Sequence, residues 1–188
     1  MNLEEQITLI RDTRATIIPA GDEHLIPKGT VVSISQALGG AVTIRADNGL
    51  YRIPSKDWDA LGEEINAHLK AKESEESVLA PDVAFSESLV WSALKQCFDP
   101  EIPLNIVDLG LIYDLKISEK NDQDKHEVKV QMTLTAQGCG MGPVIAEDAQ
   151  KQIEKIPEVD SAEVAIVWEP PWNPHMISDE GRQTLGLE

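Results

Sequence analysis

Cys139 lies in the run Thr133-Leu134-Thr135-Ala136-Gln137-Gly138-Cys139-Gly140-Met141-Gly142-Pro143, a thiol set among three glycines. Glycines let a backbone approach a ligand closely and leave amide N–H groups uncovered. Pro143 suits the first turn of a helix, where its missing N–H costs nothing. A helix N-terminus carries partial positive charge, which favours a thiolate over a thiol. The pattern therefore predicts a cysteine between a strand end and a helix start, suited to metal ligation or nucleophilic attack, with Gly138 and Gly140 shaping its loop. The plain alternative is a small residue filling a tight turn.

Upstream, Asp99, Glu101 and Asp108 form a carboxylate-rich loop bounded by Pro100, Pro103 and Gly110. Folded over the strand ends, it would supply hard oxygen ligands or hydrogen bonds near Cys139. Equally, Asp99 can serve as a cap and Glu101 as a solvated charge. Cys97, the other of the two cysteines, follows Val90, Ala93 and Leu94 at helical spacing and is expected in the core. His24, His68, His126 and His175 are scattered without the spacing of a zinc site.

The elements that must position this chemistry follow from the apolar periodicity. Ser86 caps a helix carrying Val90, Ala93, Leu94 and Cys97, which Asp99-Pro100 ends. Tyr113, Leu115 and Ile117, then Val128, Val130, Met132 and Leu134, alternate with polar residues as two half-buried strands, joined by a polar hairpin loop at 119–125. Ile145, Ala149, Ile153 and Ile156 give the helix after Cys139 one apolar face, which Pro157 ends, and 159–168 resumes as a strand. A short helix starts near Ser178. The order helix-strand-strand-helix-strand predicts an α+β domain with helices on one sheet face.

The N-terminal part reads differently. Thr16-Ile17-Ile18, Thr30 to Ile34 and Val42-Thr43-Ile44 are short β-branched runs separated by proline and glycine turns, as in a small antiparallel sheet or barrel. Asn48-Gly49 is a hairpin turn signal. Residues 57–72 are expected to be helical, with Trp58, Leu61, Ile65 and Leu69 on one stripe and Gly62 interrupting it. The charged, proline-stopped stretch at 73–85 reads as a linker. The expected organisation is thus a β-rich module at 1–72, a linker at 73–85 and an α+β domain at 86–188.

Composition narrows the function. The net charge is −17 over 188 residues, from 16 basic and 33 acidic side chains. Of this, −11 falls in residues 86–188, with 8 basic and 19 acidic side chains. Such charge repels phosphate backbones and anionic membranes, so nucleic acid and membrane are not expected partners; it also favours solubility for its own sake. Residues 1–15 lack the apolar run of a signal peptide, and charges interrupt every segment that would need roughly 20 apolar residues to span a bilayer. A cytoplasmic protein with reduced thiols is expected.

Asp99-Pro100-Glu101-Ile102-Pro103-Leu104-Asn105-Ile106-Val107-Asp108-Leu109-Gly110-Leu111-Ile112-Tyr113, taken with Thr133-Leu134-Thr135 and Gly138-Cys139, resembles the metal-sulfur cluster assembly family that includes PaaD-type proteins. Within it the chain is similar to the SufT branch, through Cys139-Gly140-Met141-Gly142-Pro143, Pro170-Pro171-Trp172, Met176, Leu38-Gly39-Gly40 and Asp59-Ala60-Leu61-Gly62, a resemblance over nearly the whole chain. Gln137 replaces an expected proline and Ala41 an expected serine, neither at the matched cysteine.

The resemblance implies an α+β fold like iron-sulfur scaffold domains and an accessory, non-enzymatic role in cluster maturation. It implies Cys139 as the functional residue, with Asp108, Thr133 and Thr135 around it. Iron-sulfur clusters usually take four protein ligands, so one cysteine suits transient binding of iron or a cluster, bridged between two protomers or shared with a partner. The expected partners are the assembly machinery and client apoproteins, with a homodimer possible. Two other readings stay open: a cysteine enzyme with His175 as base, and a metal-free adaptor whose loop only docks partners.

Overall fold

A computed structural model describes residues 6–47, 49–76 and 84–187. The chain divides into two compact units, Met1–Ser77 and Val78–Glu188. Helix α1, below, extends to Glu76, so residues 73–76 of the expected linker are helical, and 77–83 lie outside the described residues.

The first unit is built on six strands: β1 (Gln6–Thr8), β2 (Thr13–Ile18), β3 (Glu23–Ile26), β4 (Val31–Leu38), β5 (Ala41–Ala46) and β6 (Gly49–Pro54). They form one antiparallel sheet in the order β1-β4-β5-β6-β2-β3. The β-branched runs supply its inner face, with Val32, Ile34, Val42, Ile44 and Ile53 buried against Trp58, Leu61 and Leu69. Strands β5 and β6 pair from Ala41↔Pro54 to Ala46↔Gly49; Asn48 of the expected turn lies outside the described residues.

Instead of one helix over 57–72, a 3-10 turn at Ser55–Leu61 is followed by α1 (Glu63–Glu76). The break is at Gly62, whose φ of 105° is open to glycine and strained for other residues. Rotating the chain there lets Leu61 and Leu69 point into the same core.

The second unit follows the order α2 (Glu87–Leu94), β7 (Ile112–Ile117), β8 (His126–Met132), α3 (Gly142–Glu154), β9 (Val159–Ile166) and α4 (Asp179–Leu185). Strands β7 and β8 are antiparallel and β9 pairs with β8 in parallel, so α3 is the crossover that parallel strands require. Ile145, Ala149 and Ile153 of α3 are buried, as are Val128, Val130 and Met132 on the facing side of β8. Each of these isoleucine, valine and methionine side chains contributes about 1.5–3 kcal/mol by leaving water.

Ser86 caps α2, its hydroxyl accepting from the Leu89 N–H at 3.3 Å. That helix stops at Leu94, short of Cys97. The Cys97 N–H donates to the Leu94 carbonyl, and the chain then closes on itself through Ile106 N–H to Cys97 O at 2.9 Å and Asp99 N–H to Leu104 O at 3.1 Å. These loop bonds compete with helix continuation into a segment that Pro100 already disfavours. Cys97 is nonetheless core, at 2% exposure. The 119–125 loop is held by Asn121, whose side-chain oxygen accepts from Gln123 and Lys125 N–H. No helix among the described residues is long and apolar enough to cross a membrane.

Candidate functional site

At the C-terminal ends of β8 and β9 the chain leaves the sheet twice. After β8 it forms the 133–141 loop, and after β9 it runs into a strap at 168–187. The 99–111 loop reaches the same end, because Leu111 O accepts from the Thr133 N–H at 2.8 Å. Carboxyl ends of strands in α/β sheets are where ligands commonly bind.

Cys139 sits in the turn before α3, half-buried rather than sealed. Its N–H donates to Ala136 O at 3.4 Å and its carbonyl accepts from the Gly142 N–H at 3.2 Å, so the backbone around the thiol is folded tightly. Gly138 takes a φ of 83°, and a Cβ built there would meet nothing within 4 Å, so the turn is open at that residue. Gly140 is half-buried and Gly138 exposed. Gly142 has a different task. A Cβ there would stand 2.5 Å from Leu134 Cδ1 and 3.3 Å from Ile166 Cδ1, so its lack of a side chain seats the start of α3 on the strand ends. Pro143 occupies the first turn, and no side chain caps the helix.

Thr133 is buried at 1% exposure, and its hydroxyl oxygen has no hydrogen-bond partner among the described residues. Thr135, nearer the turn, is half-buried. An unsatisfied buried hydroxyl costs stability, and it is a polar group available at the base of this loop.

Two of the upstream loop's carboxylates, Asp99 and Asp108, have structural partners. Asp99, 8% exposed, accepts through Oδ1 from the Glu101 and Ile102 N–H groups at 2.8 and 2.9 Å, while the Glu101 side chain lies in solvent. This is the cap-and-solvated-charge arrangement.

Asp108 uses both oxygens. Oδ2 accepts from Asn105 Nδ2 at 2.6 Å, and Oδ1 accepts from Ser178 Oγ at 3.1 Å with Lys95 Nζ at 3.5 Å. Asp99 thus organises its own loop, and Asp108 joins that loop to the strap.

The strap brings in residues that periodicity did not single out. Trp172 Nε1 donates to Leu109 O at 2.8 Å, Tyr113 hydroxyl donates to Pro170 O at 2.8 Å, and Ser178 N–H donates to Asp108 O at 2.9 Å. Tyr113 hydroxyl also lies 3.5 Å from Met176 Sδ. An open cleft of about 630 Å³ is lined by Gly110, Ile112, Tyr113, Gln131, Glu169, Pro170 and Met176. Tyr113, Pro170, Trp172 and Met176 all belong to the motifs that carry the resemblance, which was the available signal. Asn105 stands three residues from Asp108 within the same motif, whereas Ser178 gave no signal as its partner, since only the fold shows a contact between residues so far apart in sequence.

The histidines are engaged elsewhere or exposed. His126 Nδ1 is 2.8 Å from Ser118 O and its ring stacks on Phe85 with centroids 4.1 Å apart; His24 stacks on Tyr51. His68 and His175 are exposed. Among the described residues, no three histidine, cysteine or acidic side chains are grouped to hold a metal ion.

Comparison with known proteins gives a consistent set of relatives. The family model described as iron-sulfur cluster assembly protein matches residues 87–166. The chain is similar to the Fe-S protein maturation auxiliary factor YitW of Bacillus subtilis, 39% identical over 53% of this chain and 92% of the relative. It is also similar to the Fe-S protein maturation auxiliary factor SufT of Staphylococcus aureus, 40% identical over 47% of this chain and 96% of the relative. An iron-sulfur cluster carrier protein of Synechocystis is 29% identical over 52% of this chain and 25% of its own length. The family model lies wholly within the second unit, whereas the motif resemblance extended into the first.

Proposed function

Because the chain belongs to the family of iron-sulfur cluster assembly proteins, we propose that it is an accessory factor in cluster maturation that binds iron or an iron-sulfur cluster transiently through Cys139 and helps transfer it to client apoproteins. The observation that carries this reading is the half-buried thiol in the turn between β8 and α3, at the strand ends where the loop motifs converge.

A lone thiol without a grouped ligand set suits a temporary station better than a resident site. Clusters are ordinarily held by four protein ligands, so the remaining ones come from a second protomer, from small thiols or from the donor or client. Incomplete ligation by this chain leaves the cargo free to exchange. Thr133, Thr135, Gly138 and Gly140 shape the pocket around the sulfur in this reading, and Asp99, Glu101 and Asp108 form the neighbouring loop. The relatives are named as auxiliary factors and carriers, which supports a non-enzymatic role. The second unit, 86–188 by sequence, does the work; the module at 1–72 is an appended domain whose last helix runs on to Glu76, into the stretch expected as linker. The setting is cytoplasmic, and the partners are the assembly machinery and clients.

The test is anaerobic reconstitution with iron and sulfide, comparing wild type with Cys139→Ala. Cluster absorbance and client activation are expected to depend on the thiol. Equal absorbance and equal activation in the two proteins would refute the proposal.

A further inference from the structure

We propose that Asp108 is a positioning residue that latches the C-terminal strap over the site's loop, and that the latched strap serves the hand-over of cargo to the client rather than its capture. This rests on the reading of Cys139 as the cargo-binding residue and adds a division of labour to it.

The geometry is specific on both sides of the contact. Gly110 takes a φ of 71°, and a Cβ there would stand 2.1 Å from Met176 O and 2.9 Å from Met176 Cβ. Any side chain at Gly110 therefore expels the strap. On the strap, Gly181 presses equally closely, its would-be Cβ lying 2.8 Å from Leu104 Cδ2 and 3.0 Å from Asp108 O. Between these two close approaches lie the bonds from Ser178 to Asp108 O and Oδ1, and earlier in the strap Trp172 bonds Leu109 O. Lys95 bridges Asp108 and Glu180, at 3.5 and 3.7 Å, so the latch extends to α4. With its oxygens taken by Asn105, Ser178 and Lys95, the Asp108 carboxylate is committed to this contact.

The strap is also built to move. Residues 168–171 and 173–175 are exposed, and its buried anchors are Ile177 and Gly181. A segment with few buried apolar contacts opens at low cost. When docked, Glu169, Pro170 and Met176 form one wall of the cleft whose opposite wall is Gly110, Ile112, Tyr113 and Gln131. That cleft lies at the same end of the sheet as the cysteine turn, so a client drawing cargo from Cys139 meets the strap and its cleft together.

The experiment uses the full chain and separates three readouts: amide exchange over 168–187 for docking, cluster absorbance after anaerobic reconstitution for loading, and activation rate of an apo-ferredoxin for hand-over. Gly110→Ala is expected to undock the strap and slow hand-over by about tenfold, the change that losing one or two net hydrogen bonds produces, with loading unchanged. Trp172→Phe, which removes the N–H donor together with part of a half-buried ring, is expected to do the same to a smaller degree. Asp108→Ala is expected to follow Gly110→Ala in docking and hand-over.

Undocking with hand-over at the wild-type rate would overturn the proposal. So would an Asp108→Ala protein that loses loading while its strap stays protected, because that marks the carboxylate as a ligand. Failure of the underlying reading looks different: Cys139→Ala would then load normally, whatever the strap does.

Discussion

The side chains that matter at the site divide into those left partly accessible and those that hold shape. Cys139 belongs to the first group. Gly142 belongs to the second: Gly142→Ala forces a methyl into Leu134 and Ile166, and is expected to cost about 1–3 kcal/mol, the usual range for overpacking, measured by urea denaturation. Asp99→Ala is expected to cost about 2 kcal/mol by the same measure, since two loop N–H groups lose their acceptor in a nearly buried setting. Its effect on cluster loading should not exceed its effect on the folded fraction.

Cys139, its glycines and Pro143 were legible in sequence because they act through local backbone geometry. The role of Asp108 was not. A carboxylate in a loop reads alike whether it binds a metal or a serine seventy residues away, and only the fold makes the choice.

At the scale of elements, caps and periodicity predicted most of what formed. Ser86 and Ser178 both cap the helices that they were expected to start, and Ser86→Ala is expected to lower stability by about 1 kcal/mol through loss of the α2 cap. Helix ends were less legible. The α2 stripe continues to Cys97 in sequence, yet the loop's own hydrogen bonds end the helix at Leu94. Gly62 was read as a weak point and is a break.

The turn before Gly62 is tied to the β1–β2 connection by Arg11, whose guanidinium reaches Asp57 and both oxygens of Asp59. The hydrogen bond from Arg11 holds the Asp59 carboxyl below the ordinary carboxylate range. A lowered folded-state value means that the stabilisation is present above the unfolded value, roughly 3.9, and is lost as pH falls through the folded one. Asp59→Asn is therefore expected to cost at most about 1 kcal/mol at neutral pH, because the pair is solvent-exposed, and the gap to wild type should close in acid.

For the whole molecule, the net charge of −17 acts before any contact is made. A partner with a basic face is drawn in at long range, an attraction that salt screens over about 10 Å at 0.1 M. Hand-over to a basic client is expected to slow as ionic strength rises, while loading with iron and sulfide changes little; stopped-flow activation at graded salt measures the first and cluster absorbance after reconstitution the second. The division into a β-rich and a mixed α/β part was visible in the change of apolar period near residue 80. The sheet order was not, because strand adjacency is decided by pairing across the chain, as when β6 takes its place between β5 and β2.

The parallel pairing of β8 and β9 also fixes an order of events. The turn that carries the thiol leads into a helix whose first residue rests against Ile166, and Val167 closes onto Met132. On the ribosome the sulfur emerges well before the strand that shapes its surroundings. Until β9 has been translated and has zipped alongside β8, the turn that carries Cys139 lacks one of the two strand ends on which the start of α3 is seated.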